Sequence, residues 1–165
     1  MKKVLYVFHQ KTSVAGDVGN KFKERGFSEE IICPALGDIL PEDLTKYSAI
    51  VIFGGPMSVN DDDQFIKDEI KWMKKVIDSK IPFLGICLGA QILAKHLGCD
   101  VIKNKNDLAE IGFYEIEPVG RGGNIFKSQS IFYQFHTEGF EVPKDCELLA
   151  RGEIFKNQAF KYHNC

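Results

Sequence analysis

Residues 85–89 read Gly-Ile-Cys-Leu-Gly, at the point where the apolar run Ile81–Ile86 gives way to helical spacing. A cysteine with glycine two positions away on either side has the small-x-nucleophile-x-small pattern of a nucleophile elbow. Such a turn holds the nucleophile in a strained backbone conformation, and only glycine-sized flanks let strand and helix approach closely enough. At a helix N-terminus the dipole and free N–H groups favour thiolate over thiol, so Cys87 is expected to attack carbonyl carbon. The turn also aims the Leu88 N–H outward. A second oxyanion donor is expected from the Gly55 N–H in "FGGPMS", at the end of the apolar run Ala49–Phe53. Taken alone, Gly-x-Cys-x-Gly also fits an inert buried cysteine packed by glycines; the paired glycine loop argues for the nucleophile.

These residues need a scaffold that brings strand ends together. Lys3–Phe8, Glu30–Cys33, Ala49–Phe53 and Ile81–Ile86 read as buried strands. Val14, Val18 and Phe22 recur at helical spacing up to Gly26, and Leu88–Leu97 forms a helix closed by Gly98. A third helix carries the apolar stripe Phe65, Ile70, Met73, Val76 and Ile77, with Lys67, Lys71, Lys74 and Lys75 on its solvated face. Asp61, Asp62 and Asp63 precede it and are expected to cap its N-terminus, with a metal site as the lesser alternative. Strands alternating with helices predict a three-layer α/β fold, a mostly parallel sheet with helices on both faces. Beyond Asp100 the pattern turns β-rich, through "EIGFYEIEP", "SIFYQFH", "ELLAR" and "QAFKY". The Gly-rich stretch Gly120–Asn124 lacks the Gly-Lys-Ser/Thr ending of a phosphate loop and is expected to be a hairpin turn.

Composition narrows the partners. A chain of 165 residues with 44% hydrophobic residues supports one domain around one core, so residues 1–165 are expected to form a single domain. A net charge of −2 gives no electrostatic reason to expect nucleic acid or an anionic membrane as partner. No apolar run approaches the roughly 18 residues of a membrane span, and no signal peptide is recognised, so the cytoplasm is the expected compartment. Five cysteines, scattered singly, form no Cys-x-x-Cys pair, which argues against disulfides and zinc; no metal and no cofactor is expected.

The segments "FGGPMSVND" and "PFLGICLGAQILAKHLG" together resemble the class I (Triad-type) glutamine amidotransferases, in particular the stand-alone group similar to the glutaminase domain of GMP synthase. "EIGFYEIEP", "FHTEGFEVPKDCELLAR" and "NQAFKY" extend the resemblance along the chain. It implies a flavodoxin-like α/β fold and release of ammonia from L-glutamine through a γ-glutamyl thioester on Cys87. It further implies Gly55 and Leu88 as backbone oxyanion donors. Gly54 and Gln91 are implied as contacts to the glutamine, and His136, Thr137 and Glu138 as lining the pocket near its α-amino and carboxylate groups. A separate synthetase or acceptor protein would receive the ammonia.

Cysteine also needs a histidine to take its proton and a carboxylate to hold that histidine. In the family this pair lies in a Gln-Phe-His-Pro-Glu strand after the Gln-Ala-Phe strand. The chain stops before such a strand, so the expectation is a truncated domain without its general base. His136 and Glu138 have the His-x-Glu spacing and are the substitute base and orienting acid; His163 lacks an acid two residues on. His9 and His96 have no partner motif nearby and read as surface or core-edge residues. Three functions follow: a glutaminase unit, a catalytically dead protein that keeps the glutamine pocket, or a cysteine hydrolase of γ-glutamyl peptides.

Overall fold

The computed structural model describes residues 2–126 and 130–165. The chain forms two compact units, one running to His96 and taking in Asn164–Cys165, the other Leu97–His163.

In the first unit, strands β1 (Lys3–Val7), β2 (Ser28–Ile32), β3 (Ala49–Ile52) and β4 (Phe83–Gly85) form a parallel sheet in the order β2-β1-β3-β4. Period-2 alternation sends Val4, Tyr6, Phe8, Ala49 and Val51 to one face, where Ala15, Val18 and Phe22 at and within helix α1 (Gly16–Glu24) pack on them. Helix α3 (Leu88–His96) lies on the other face: a methyl group on Gly89 would stand 2.2 Å from the Ile52 carbonyl oxygen. Helix α2 (Gln64–Ser79) packs beside α3. Because all four strands run the same way, β1, β3 and β4 end side by side at one edge, and His9, Gly54–Gly55 and Cys87 follow them. This edge is where open α/β sheets place their ligands.

The expected strands and helices are present, with four differences. Strand β2 starts at Ser28 and lies at the sheet edge with Ile31 exposed, so it is not the buried strand expected over Glu30–Cys33. Val14 precedes α1 and is exposed, because the chain enters the helix only at the positive-φ residue Gly16. Asp63 occupies the N-cap of α2 without a side-chain cap bond; Asp61 instead accepts the Ser58 N–H at 2.9 Å and Asp62 pairs with Lys67. The buried side of α2 is Ile66, Glu69, Trp72, Met73 and Val76, so a carboxylate stands in the middle of the core-facing stripe.

The second unit is built from antiparallel pieces. Strand β5 (Val101–Lys103) pairs with β9 (Glu138–Phe140), and β6 (Glu110–Glu115) with β8 (Ile131–His136). Strand β10 (Glu147–Arg151) lies between β7 (Glu117–Pro118) and β11 (Ala159–Lys161). The stretch Gly120–Asn124 leads into a short helix, α4 (Gly122–Phe126), not a hairpin. Its reason is contact: a methyl group on Gly122 would lie 1.8 Å from the Leu149 carbonyl oxygen, so glycine serves close packing on β10. Among the described residues no helix is long and apolar enough to cross a membrane.

Candidate active site

The bend at Cys87 has the geometry its glycines require. Cys87 has φ 52°, a left-handed conformation that L side chains adopt only at a cost. A methyl group on Gly85 would lie 2.7 Å from the Ala90 nitrogen, and one on Gly89 would run into Ile52, so both positions exclude larger residues. Helix α3 starts at once: the Ala90 and Gln91 N–H groups both donate to the Cys87 carbonyl, at 3.0 and 3.1 Å. Among the described cysteines Cys87 is the exposed one; Cys33 is buried and the rest are partly covered.

The electrostatics at the sulfur differ from expectation. Surrounding protein atoms desolvate the thiolate and push the Cys87 thiol up, while a hydrogen bond from the Leu88 N–H pulls it down by less. The single N–H group at the helix start is outweighed by desolvation, which disfavours the thiolate. Deprotonation therefore needs a base.

The glycine loop reaches the cysteine. A methyl group on Gly54 would stand 3.3 Å from Cβ and 3.7 Å from Sγ of Cys87. Gly55 is enclosed as tightly, since a methyl group there would meet His9 Cβ at 2.7 Å and Leu88 Cδ2 at 3.1 Å. His9 is no surface residue: it is 1% exposed, with Nδ1 donating to the Gly54 carbonyl at 3.2 Å and Nε2 facing Glu69 Oε2 at 3.1 Å. Gln91 lies buried on the first turn of α3.

In the second unit His136 ends β8, Thr137 is an exposed bend and Glu138 opens β9. His136 Nδ1 donates to the Glu138 backbone carbonyl at 2.9 Å, and the carboxyl at its Nε2 is that of Glu110, also at 2.9 Å. Glu110 further accepts the Gln158 amide at 2.8 Å and the Phe155 N–H at 3.4 Å.

The family model "Glutamine amidotransferase class-I" matches residues 12–157. The chain belongs to the class-I glutamine amidotransferase family. Within it, the chain is 40% identical over 136 residues to a glutamine amidotransferase-like protein of Acanthamoeba polyphaga mimivirus, covering 81% of this chain and 59% of that protein. It is 30% identical over 122 residues to one of the subunits of the glutamine-hydrolysing GMP synthase of Saccharolobus solfataricus, covering 72% of this chain and 62% of that one. A glutamine amidotransferase structure from Thermotoga maritima superposes with a TM-score of 0.89 at 30% identity, over 99% of this chain and 72% of that one. The α/β fold is thus the one found in class-I glutamine amidotransferases. This amidotransferase chain spans about six-tenths of the length of the two curated relatives named here.

Sequence reading of this amidotransferase missed Glu69, Glu110 and the role of His9. Glu69 carried a signal: it lies three residues after Ile66 and four before Met73, on the buried side of α2, where an acid needs a partner. Glu110 carried one only through register, since it faces His136 directly across the β6–β8 ladder.

Proposed function

We propose that this amidotransferase unit hydrolyses the side-chain amide of L-glutamine through Cys87. The observation that carries the reading is the exposed, positive-φ Cys87 lying against Gly54 of the glycine loop. The sulfur, once deprotonated, bonds to the amide carbon; the oxyanion is received by the N–H groups of Gly55 and Leu88, a donor of this kind being worth about 3 kcal/mol of barrier. The C–N bond then breaks as the nitrogen takes a proton and leaves as ammonia. Water cleaves the γ-glutamyl thioester, giving glutamate and the free thiol. Gly54 and Gln91 are the proposed glutamine contacts in the first unit.

As bonded here, neither His9 nor His136 is poised to take the Cys87 proton. Each of these has Nδ1 bonded to a main-chain carbonyl and Nε2 to a glutamate, so neither offers a nitrogen without rearranging. The relative from Saccharolobus solfataricus, named as part of a GMP synthase built from separate chains, supports a separate synthetase as recipient of the ammonia.

Ammonia release from glutamine, lost in Cys87→Ala, is the expected result, together with covalent labelling of Cys87 by a glutamine-analogue chloroketone. Labelling without turnover would assign the unit to ligand binding. Turnover of γ-glutamyl peptides in place of glutamine would assign it to peptide hydrolysis. Because burial raises the Cys87 thiol, its alkylation by iodoacetamide should reach half-maximal rate at a higher pH than that of free cysteine measured in parallel.

A further inference from the structure

The first unit contains a buried histidine–glutamate pair that the proposed chemistry does not use, and it touches the loop that the chemistry depends on. The Nδ1 of His9 lies 3.2 Å from the Gly54 oxygen. A carbonyl oxygen only accepts, so Nδ1 carries the proton. The Nε2 lies 3.1 Å from Glu69 Oε2, and both side chains are fully buried. One proton placed between Nε2 and Oε2 completes that bond and leaves the Nδ1 proton where it is. Glu69 thereby fixes both the tautomer and the ring orientation.

The bonded oxygen belongs to the same peptide group as the Gly55 N–H. In a planar trans peptide the C=O and N–H point in opposite directions, so fixing one fixes the other. Two consecutive glycines would otherwise let this peptide rotate cheaply. We infer that His9, held by Glu69, is a positioning residue that latches the Gly54–Gly55 peptide so that the Gly55 N–H stays turned to the nucleophile. The inference rests on the glutaminase reading above, which makes that N–H an oxyanion donor. His9 touches no substrate; it acts through one peptide plane.

The test compares two double variants in which the buried acid is removed, so that neither leaves a stranded carboxylate: His9→Phe/Glu69→Leu, with no donor to Gly54, and His9→Asn/Glu69→Leu, whose amide nitrogen stands near the place of Nδ1. Thermal melts select folded protein. Rate constants are then measured for Cys87 with a glutamine-analogue chloroketone, whose attack creates an oxyanion, and with iodoacetamide, whose attack does not. The ratio of the two rates is expected to fall about 100-fold in the Phe variant and to return to within about tenfold of the unsubstituted protein in the Asn variant, by the magnitude of one oxyanion donor. A ratio unchanged in the folded Phe variant, or equally low in the Asn variant, overturns the latch alone. A ratio in the unsubstituted protein no higher than that of free cysteine overturns the glutaminase reading and takes the latch with it.

Discussion

Each unit of this chain contains a histidine bonded in the same manner, Nδ1 to a main-chain carbonyl and Nε2 to a buried glutamate, and the two differ in how the acid is otherwise served. Glu110 in the second unit accepts three donors, from His136, Gln158 and the Phe155 backbone. Glu69 in the first has His9 on Oε2, and its Oε1 finds no hydrogen-bond partner among the described residues. The His136 side chain is 15% exposed, whereas both members of the first pair are at 0%. A histidine that is one donor among three is replaceable; one that alone compensates a buried acid is not.

Substitutions can break or sharpen that contrast. His9→Leu should destabilise the first unit by about 3–5 kcal/mol in denaturant unfolding, because it strands a buried carboxylate. Adding Glu69→Leu should recover at least about 2 kcal/mol of that loss, since the double variant buries no uncompensated acid; strict additivity would show that the pair is not coupled. In the second unit His136→Leu should cost only about 1–2 kcal/mol, as Glu110 keeps two donors. Gln158→Ala should cost about 1 kcal/mol, by loss of one of those bonds. A His136→Leu loss equal to that of His9→Leu would erase the distinction.

The parallel sheet was legible from continuously apolar strands and from the glycines where they end, and the elbow from Gly85, Cys87 and Gly89. These are local signals, set by sterics within a few residues. The histidine partners were not local. His9 and Glu69 are 60 positions apart and meet only in the folded chain, one following β1 and the other on α2. Proximity in sequence suggested Glu138 as the acid for His136, yet at Nε2 stands Glu110, brought there by strand register, while Glu138 meets Nδ1 with its backbone. The electrostatics of Cys87 were only half legible: a helix start can be read from spacing, but the desolvation that opposes it depends on the folded chain. Gly122 shows the same limit, since glycines that spell a turn locally serve a close approach to Leu149.

The left-handed backbone at position 87 has a consequence for how this chain is maintained. Glycine would occupy that conformation without strain, so pressure for durability alone would erase the sulfur and leave a tougher, chemically silent molecule. A cysteine standing there sets usefulness against robustness at a single residue, and a screen for heat-resistant variants would be expected to discard it early.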